Sequence, residues 1–252
     1  MSALCRSAVV RLTFCFALLG AARSWAAPGD VRQSFDTPCK YPTGMACDGT
    51  SLYIADWREA KIYRVSPPGG RTVDSFDAPT RHPQGLSCGV GKLFVSDQRS
   101  GWIYVVDLQS RVVEHAYEAP GPSPAGLAWT PDGLYILEQK TEEVYRVVPE
   151  DGTSLHSFPA PTKSSACLAY DGRYLWASDR IKNELYRFDP DSGAVFAILD
   201  APGPHATGLA WHDGTLWNAD FQTRKVYRLV VDDEVKYRLS EPREARVAMG
   251  QR

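Results

Sequence analysis

The stretch LYIADWREAKIYRVSPPGG, from Leu52 to Gly70, decides the fold. Leu52–Asp56 is a short apolar run, Trp57–Ala60 is a polar loop, and Lys61–Val65 alternates between polar and apolar residues. This alternation is typical of a half-buried strand, and Pro67–Gly70 is a turn signal. The stretch therefore predicts two antiparallel strands joined by a short loop and followed by a turn.

Two neighbouring runs complete the pattern. Thr43–Cys47 is a short apolar run before this stretch, and Asp48-Gly49 is the tight-turn signal that follows it. Thr72–Phe76 is a fourth run after the second turn. Four short strands joined by turns predict one antiparallel meander. No helical periodicity appears between residues 27 and 252, so the predicted fold class is all-β.

The meander recurs with a period of 41 residues. Four-stranded units of about 40–45 residues are typical of β-propeller blades. One small sheet cannot cover both of its faces, whereas blades packed around an axis cover one another. We therefore expect five closed blades, with six blades or an open ring as alternatives. The in-phase residues are Leu52, Leu93, Leu134, Leu175 and Leu216; the acids Asp56, Asp97, Glu138, Asp179 and Asp220; Tyr63, Tyr104, Tyr145, Tyr186 and Tyr227; and Pro38, Pro79, Pro120, Pro161 and Pro202.

Ring closure has two candidate strands. Val31–Asp36 has the pattern of a fourth strand with no preceding three, so it could complete the last blade and join the N-terminus to the C-terminus. Val235–Leu239 has the same pattern and belongs to the fifth unit. The sequence leaves open which of the two occupies that place, or whether both lie there side by side.

The repeated unit resembles the YWTD repeat of lipoprotein-receptor propellers and the related NHL repeat. Leu52–Gly70 carries the resemblance, and Leu93–Asp107, Leu175–Gly193 and Leu216–Leu229 echo it. Those families usually close with six blades. The resemblance also implies that the strand-ending acid ties neighbouring blades by hydrogen bonds rather than holding a metal.

Other in-phase residues have structural explanations. We expect the tyrosines to pack between blades, and Gly44, Gly85, Gly126 and Gly208 to give room where the innermost strands crowd. Cys167 takes the fourth unit's place in that glycine series as a small buried thiol. Cys47 and Cys88 occupy like positions that point the same way around the ring, so a direct bridge between them is not expected. Pairing of Cys39, Cys47, Cys88 and Cys167 otherwise stays open.

The two ends of the chain differ from the repeats. Arg6 and Arg11 precede the apolar run Leu12–Ala22, and Ser24-Trp25-Ala26 has the small residues of a cleavage site. The run is about half the roughly 20 residues of a membrane-spanning helix. We therefore expect a signal peptide at residues 1–26, a propeller at 27–240, a polar disordered tail at 241–252, and a periplasmic or secreted protein.

Composition and motifs exclude several classes of function. The 252 residues are 44% hydrophobic and 23% charged, a globular balance. Removing residues 1–26 takes Lys+Arg from 28 to 25 against 30 Asp+Glu, a net charge near −5, and without a long basic run nucleic acid is not an expected partner. No membrane span is expected after residue 26. No GxSxG, HExxH, CxxC or phosphate-binding glycine loop occurs, so no catalytic residue, metal or cofactor is predicted.

Functional residues on a symmetric scaffold should lie where the symmetry breaks. In the loops that enter the inner strands, Tyr41, His82 and His205 replace the serines of units three and four. Directly after the repeated acid, Trp57 and Phe221 are the two aromatic residues of that series. In a closed ring of five, units five, one and two are consecutive. We therefore predict a ligand site of Tyr41, Trp57, His82, His205 and Phe221 at one mouth of the channel, with Arg58, Arg99 and Arg224 near it.

Two classes of function fit this site. The first is an exported recognition or scaffold module that binds a protein, peptide or glycan. The alternative is a propeller enzyme similar to glutaminyl cyclases, streptogramin lyases or lactonases, although their catalytic motifs have no match here. Histidines with an acid outside the repeated series would favour the enzyme. An aromatic face without such an acid would favour binding.

Overall fold

The chain folds as a five-bladed β-propeller. The computed structural model describes residues 29–231, in which all regular elements are strands. These form five four-stranded antiparallel sheets. The predicted signal peptide, the predicted tail and the candidate strand Val235–Leu239 lie outside the described residues. No helix within residues 29–231 is long and apolar enough to cross a membrane.

Each blade runs from the axis outward in chain order, except that the first strand completes the fifth blade. The first strand is β1 (Val31–Asp36). Blade 1 contains β2 (Pro42–Cys47), β3 (Leu52–Asp56), β4 (Lys61–Ser66) and β5 (Arg71–Asp77). Blade 2 contains β6 (Pro83–Gly89), β7 (Lys92–Asp97), β8 (Trp102–Asp107) and β9 (Val113–Glu118). Blade 3 contains β10 (Pro124–Thr130), β11 (Gly133–Glu138), β12 (Glu143–Val147) and β13 (Ser154–Pro159). Blade 4 contains β14 (Ser165–Tyr170), β15 (Leu175–Asp179), β16 (Glu184–Phe188) and β17 (Val195–Asp200). Blade 5 contains β18 (Ala206–His212), β19 (Thr215–Asp220), β20 (Lys225–Leu229) and β1.

The ring is closed by pairing between the two ends of the propeller. Strand β1 pairs antiparallel with β20, with Phe35 opposite Val226. The innermost strands contact one another in cyclic order, ending with β18 against β2. The Thr207 hydroxyl donates to the Pro42 carbonyl at 3.2 Å across that junction. The expectation of five closed blades is confirmed, and the six-blade count usual in the YWTD-type families does not hold for this chain.

The core consists of the interfaces between blades. Met45 and Ile54 of blade 1 pack against Trp217 and Ala219 of blade 5, and all four are buried. The second strand is buried along its whole length in four blades, and in blade 2 only Lys92 at its start is half-buried, because this strand lies between two neighbouring sheets. The repeated tyrosines lie at these interfaces as predicted; Tyr63, for example, packs against the same cluster and donates its hydroxyl to Glu59 at 2.6 Å.

Close approach of the inner strands explains the glycine series. A Cβ on Gly44 would lie 2.5 Å from the Gln84 carbonyl oxygen, and one on Gly85 would lie 1.9 Å from that of Ala125. No side chain fits in that space. In blade 4 the small thiol of Cys167 is buried instead and accepts the Leu209 backbone N–H at 3.3 Å. All four cysteines in the described range are free thiols.

We predict that Phe35→Ala destabilises the fold by about 3–5 kcal/mol, as large-to-small core substitutions do. The reason is that Phe35 of β1 is 9% exposed and packs on Trp217, with ring centroids 6.0 Å apart. Urea unfolding measures the change. Val73→Ala, at a residue 43% exposed on an outer strand, is the control and should stay within about 0.5 kcal/mol. Equal midpoints for the two variants would contradict closure by β1.

Candidate functional site

Two sets of loops open on one face of the propeller. The connecting loops enter the inner strands, and the 2–3 loops join the second and third strands. Because the first two strands of a blade are antiparallel, the start of one lies beside the end of the other, as Pro42 does opposite Asp56. The Trp57 N–H donates to the Tyr41 carbonyl at 3.3 Å, and the Phe221 N–H to the His205 carbonyl at 3.0 Å. We call this end of the propeller the cavity face.

The repeated acid holds the two loops together. Asp56 is fully buried, and one carboxylate oxygen accepts the backbone N–H groups of Lys40 and Tyr41 at 3.0 and 3.1 Å. The other accepts those of Arg58 and Glu59, both at 2.9 Å. The acid therefore has the structural role that was predicted. It joins blades through the segment that connects them rather than through a strand of the next blade.

Hydrogen bonds lower the pKa of two of the repeated acids, Asp97 and Asp179. At Asp97 burial pushes the pKa upward, but the Thr80 hydroxyl and the N–H groups of Ser100 and Arg99 outweigh burial, so the pKa lies below its ordinary value. Asp179 shows the same balance between burial and its hydrogen bonds, with the same net lowering of its pKa. Acceptors that carry a charge make stronger hydrogen bonds than neutral ones, so the loops are firmly held.

The 2–3 loops share one backbone conformation that their residue types do not reveal. The last residue of each loop has a positive φ: 51° at Ala60, 82° at Gly101, 58° at Glu142, 56° at Asn183 and 54° at Arg224. Only Gly101 suits this region without steric cost. The other blades tolerate the strain because the buried acid fixes the turn on its inner side.

The loops surround a cavity of about 600 Å³ at the axis. Its wall contains aromatic, imidazole, guanidinium, amide and hydroxyl groups. Neither an aliphatic side chain nor a carboxylate belongs to this wall, as far as the described residues show. The wall consists of Thr43, Trp57, His82, Gln84, Gln98, Arg99, Ser123, Arg180, His205, Thr207 and Phe221.

An aromatic arc lines the side formed by blades 5 and 1. The Tyr41 ring lies between Trp57 and Phe221, with centroid distances of 6.0 and 6.3 Å. The imidazole of His205 continues the arc, 5.4 Å from the Phe221 ring. Trp57 is 40% exposed and lines the central cavity, so part of its indole is accessible to a ligand. Four of the five predicted residues therefore lie together, as the two loop series suggested.

Tyr41, His82 and His205, which were predicted to form one site, do not all line the same cavity. Tyr41 does not line the central cavity but an adjoining one of about 460 Å³, where His205 and Phe221 also lie. Its hydroxyl accepts from the Arg58 guanidinium at 3.0 Å, which turns it away from the axis. His82 lines the central cavity on blade 2 with its Nε2 3.3 Å from the Arg99 guanidinium. Tyr41 thus supports the arc, and His82 belongs to a different sector.

Several residues of the wall were not among the predicted site residues. The Gln139 amide donates to the Ser165 carbonyl at 3.1 Å, and the Gln98 amide bonds to Gln139, so an amide chain links blades 2, 3 and 4. Arg180 occupies the position of Trp57 in blade 4. Gln98, Gln139 and Arg180 directly follow the repeated acid, as Trp57 and Phe221 do. The sequence prediction named only the two aromatic members of that series.

Exposed cations lie on the loops of the cavity face. Arg99 and Arg180 line the central cavity, and Lys40 and Arg224 line the adjoining one. On the strands, Lys61 pairs with Asp77 at 3.0 Å and Lys225 with Asp36 at 2.7 Å. On the loops of the cavity face, by contrast, most Lys and Arg side chains have no carboxylate partner within residues 29–231. We call them the basic rim, and its members are Lys40, Arg58, Arg81, Arg99, Lys140, Arg180, Lys182 and Arg224.

The opposite end of the channel is much narrower. A cavity of about 70 Å³ lies there, with Cys47, Cys88, Trp129, Tyr170 and Trp211 in its wall. A Cβ on Gly89 would lie 2.2 Å from the Trp129 ring, so this indole packs directly on the neighbouring backbone. Blades 1 and 2 place smaller residues at this position, as predicted. A wider cavity of about 430 Å³ adjoins it at blades 1 to 3 and also contains Cys47, Cys88 and Trp129. At the axis itself, the larger cavity is the one on the cavity face.

Comparison with known proteins supports the fold. No protein-family model and no curated protein matches the chain. The glutaminyl cyclase of Myxococcus xanthus is similar in structure, with a TM-score of 0.72 and 12% identity over 81% of this chain and 96% of that chain. The virginiamycin B lyase of Staphylococcus aureus matches with a TM-score of 0.50 and 18% identity over 76% of this chain and 66% of that one. At these identities the likeness shows the propeller fold alone, and membership of the YWTD or NHL families stays a prediction.

We predict that Asp97→Ala destabilises the fold by about 1–3 kcal/mol, because it leaves the buried donors of both loops without an acceptor. Thermal melts measure the change. Arg99→Ala, at an exposed neighbour, should change the free energy of unfolding by less than about 0.5 kcal/mol. An unchanged melt for Asp97→Ala together with a lost ligand would instead make the acid functional.

The lowered pKa values also predict acid sensitivity. A carboxylate whose folded pKa lies below its unfolded value stabilises the fold above the unfolded value, near 4 for Asp. That contribution disappears as the pH falls through the folded pKa. Asp97→Asn should therefore lose less free energy of unfolding than the natural protein between about pH 5 and pH 3. Parallel pH profiles would contradict this assignment.

Proposed function

We propose that this chain is an exported recognition module that binds a protein, peptide or glycan at the cavity face. The observation that carries the proposal is the composition of the cavity wall. The half-exposed indole of Trp57 and the ring of Phe221 offer apolar contact, while guanidinium, amide and hydroxyl groups offer directed hydrogen bonds. Aromatic anchors with a few oriented polar groups are typical of binding sites.

The wall favours binding over catalysis. General acid–base chemistry commonly pairs a histidine with a carboxylate that orients it. Here His82 contacts Arg99, and His205 contacts the ring of Phe221. The carboxylates beneath the wall belong to the repeated series, and both oxygens of Asp56 already accept hydrogen bonds from the loops. Asp179 uses only Oδ1 in this way, and its buried Oδ2 has no partner within the described residues. The similar solved structures include a glutaminyl cyclase and a lyase, so the experiment below also tests for enzyme activity.

A binding experiment with matched tryptophan variants tests the proposal. The purified protein is applied to a glycan array and to a peptide library that includes peptides beginning with glutamine. Trp57→Ala should weaken binding by about tenfold or more, as anchor residues do. Trp102→Ala is the control, since Trp102 is 37% exposed on β8 and outside the cavity wall. Equal loss in both variants would contradict a site on the cavity face, and loss of ammonia from the glutamine peptides would favour the enzyme.

Export is the second part of the proposal. Its support is the charged start, the short apolar run and the Ser24-Trp25-Ala26 sequence. Intact-mass measurement of protein from the periplasm or medium should give a chain that begins at Ala27. A full-length chain recovered from the membrane fraction would overturn the assignment.

A further inference from the structure

The cavity wall has two chemically different sides. The aromatic arc belongs to blades 5 and 1. Arg99 on blade 2 and Arg180 on blade 4 flank it on either side in ring order. Neither guanidinium has a carboxylate partner among residues 29–231; Arg99 contacts only the imidazole of His82 among side chains. A ligand that lies across the arc would therefore meet a free cation at each end.

The polar groups between these two cations suit a ligand rich in hydroxyls. Amides and hydroxyls from four blades reach the wall, from Gln84, Gln98, Ser123, Thr43 and Thr207. The hydroxyls of Thr43 and Thr207 already donate to backbone carbonyls, so toward a ligand they act as acceptors. The absence of aliphatic side chains from the described wall matters equally, because a pocket for Leu, Ile or Val side chains of a peptide needs such a lining. Flat apolar contact combined with many hydrogen bonds matches sugar rings, whose C–H faces pack on aromatic rings while their hydroxyls point sideways.

We propose that the ligand is an acidic oligosaccharide, with a run of sugar rings that lie on Trp57 and Phe221 and carboxylates that reach Arg99 and Arg180. This inference rests on the proposed function and names its ligand class. A guanidinium presents paired N–H donors that match the two oxygens of a carboxylate. Two guanidiniums on opposite sides of one arc suit a chain that repeats its carboxylate from ring to ring rather than a single anion.

The wider charge distribution agrees with an anionic ligand. The chain as a whole is acidic, with a formal charge of −2, yet the basic rim lies on the loops of the cavity face. The buried acids beneath it are compensated by backbone N–H groups, as Asp56 is by four. The rim would attract an anion at long range, and salt would screen that attraction.

The test uses tetragalacturonate as the probe and calorimetry as the measurement. Its fully methyl-esterified form keeps the rings and removes the charges, and a tetraglutamate peptide keeps the charges and removes the rings. We expect tetragalacturonate to bind and the ester to bind at least about tenfold more weakly. The peptide should bind more weakly than either. Raising NaCl from about 0.05 to 0.5 M should weaken tetragalacturonate binding severalfold.

Variants locate the interaction. Arg99→Gln and Arg180→Gln should each weaken tetragalacturonate binding by about fivefold or more and weaken binding of the ester by a smaller factor, and thermal melts check that they fold. Arg71→Gln is the control, an exposed arginine of β5 without an ion pair within the described range, and it should bind like the natural protein.

The other outcomes are equally informative. Equal affinity for acid and ester would overturn the carboxylate contacts while leaving a glycan-recognition site in place. Stronger binding of tetraglutamate would overturn the glycan and favour an acidic peptide. No binding of tetragalacturonate would overturn this inference, while Trp57-dependent binding of any other array member would still support the proposed function.

Discussion

Every blade of this protein has two apolar faces, and the requirement that both be covered determines the architecture. A second strand such as β15, buried along its length, is stable only between two other sheets. The ring meets that requirement for each blade, and β1 meets it at the junction by completing blade 5. Crowding at the axis follows directly, which is why Gly44 and Gly85 tolerate no side chain and Cys167 is the largest residue in their series.

The buried carboxylate at the end of each second strand fixes the backbone of the loops on the cavity face. Its hydrogen bonds at Asp56 go to backbone N–H groups of both loops. Because the backbone rather than the side chains satisfies the acid, the side chains of those loops are free to differ between blades. The same position can therefore hold Trp57, Arg180 or Phe221 without a change in loop conformation. The architecture is repeated and the surface it presents is not.

Because the loop backbone is repeated and the loop side chains are not, the cavity face of a symmetric ring carries different chemical groups in different blades. Aromatic residues collect on blades 5 and 1, which become neighbours only when the ring closes. Arginines occupy the flanking blades 2 and 4, and the cavity at the axis is wide on this face and narrow at the opposite end. The combination of stacking surface, hydrogen-bonding groups and cations without a carboxylate partner in one cavity underlies both proposals.

Periodicity by itself determined the fold and the strand order within a blade, because a 41-residue repeat leaves few ways to bury Leu52 and its counterparts. The structural role of the acids came from the resemblance to the YWTD repeat. Periodicity also indicated the sector in which Trp57, His205 and Phe221 meet. Only the tertiary structure decided between five and six blades and placed β1 beside β20. It alone turned Tyr41 away from the axis, toward Arg58, and placed His82 against Arg99. The physical reason is that repeat position specifies where a backbone lies, whereas the direction of a loop side chain depends on contacts with residues that are distant in the sequence.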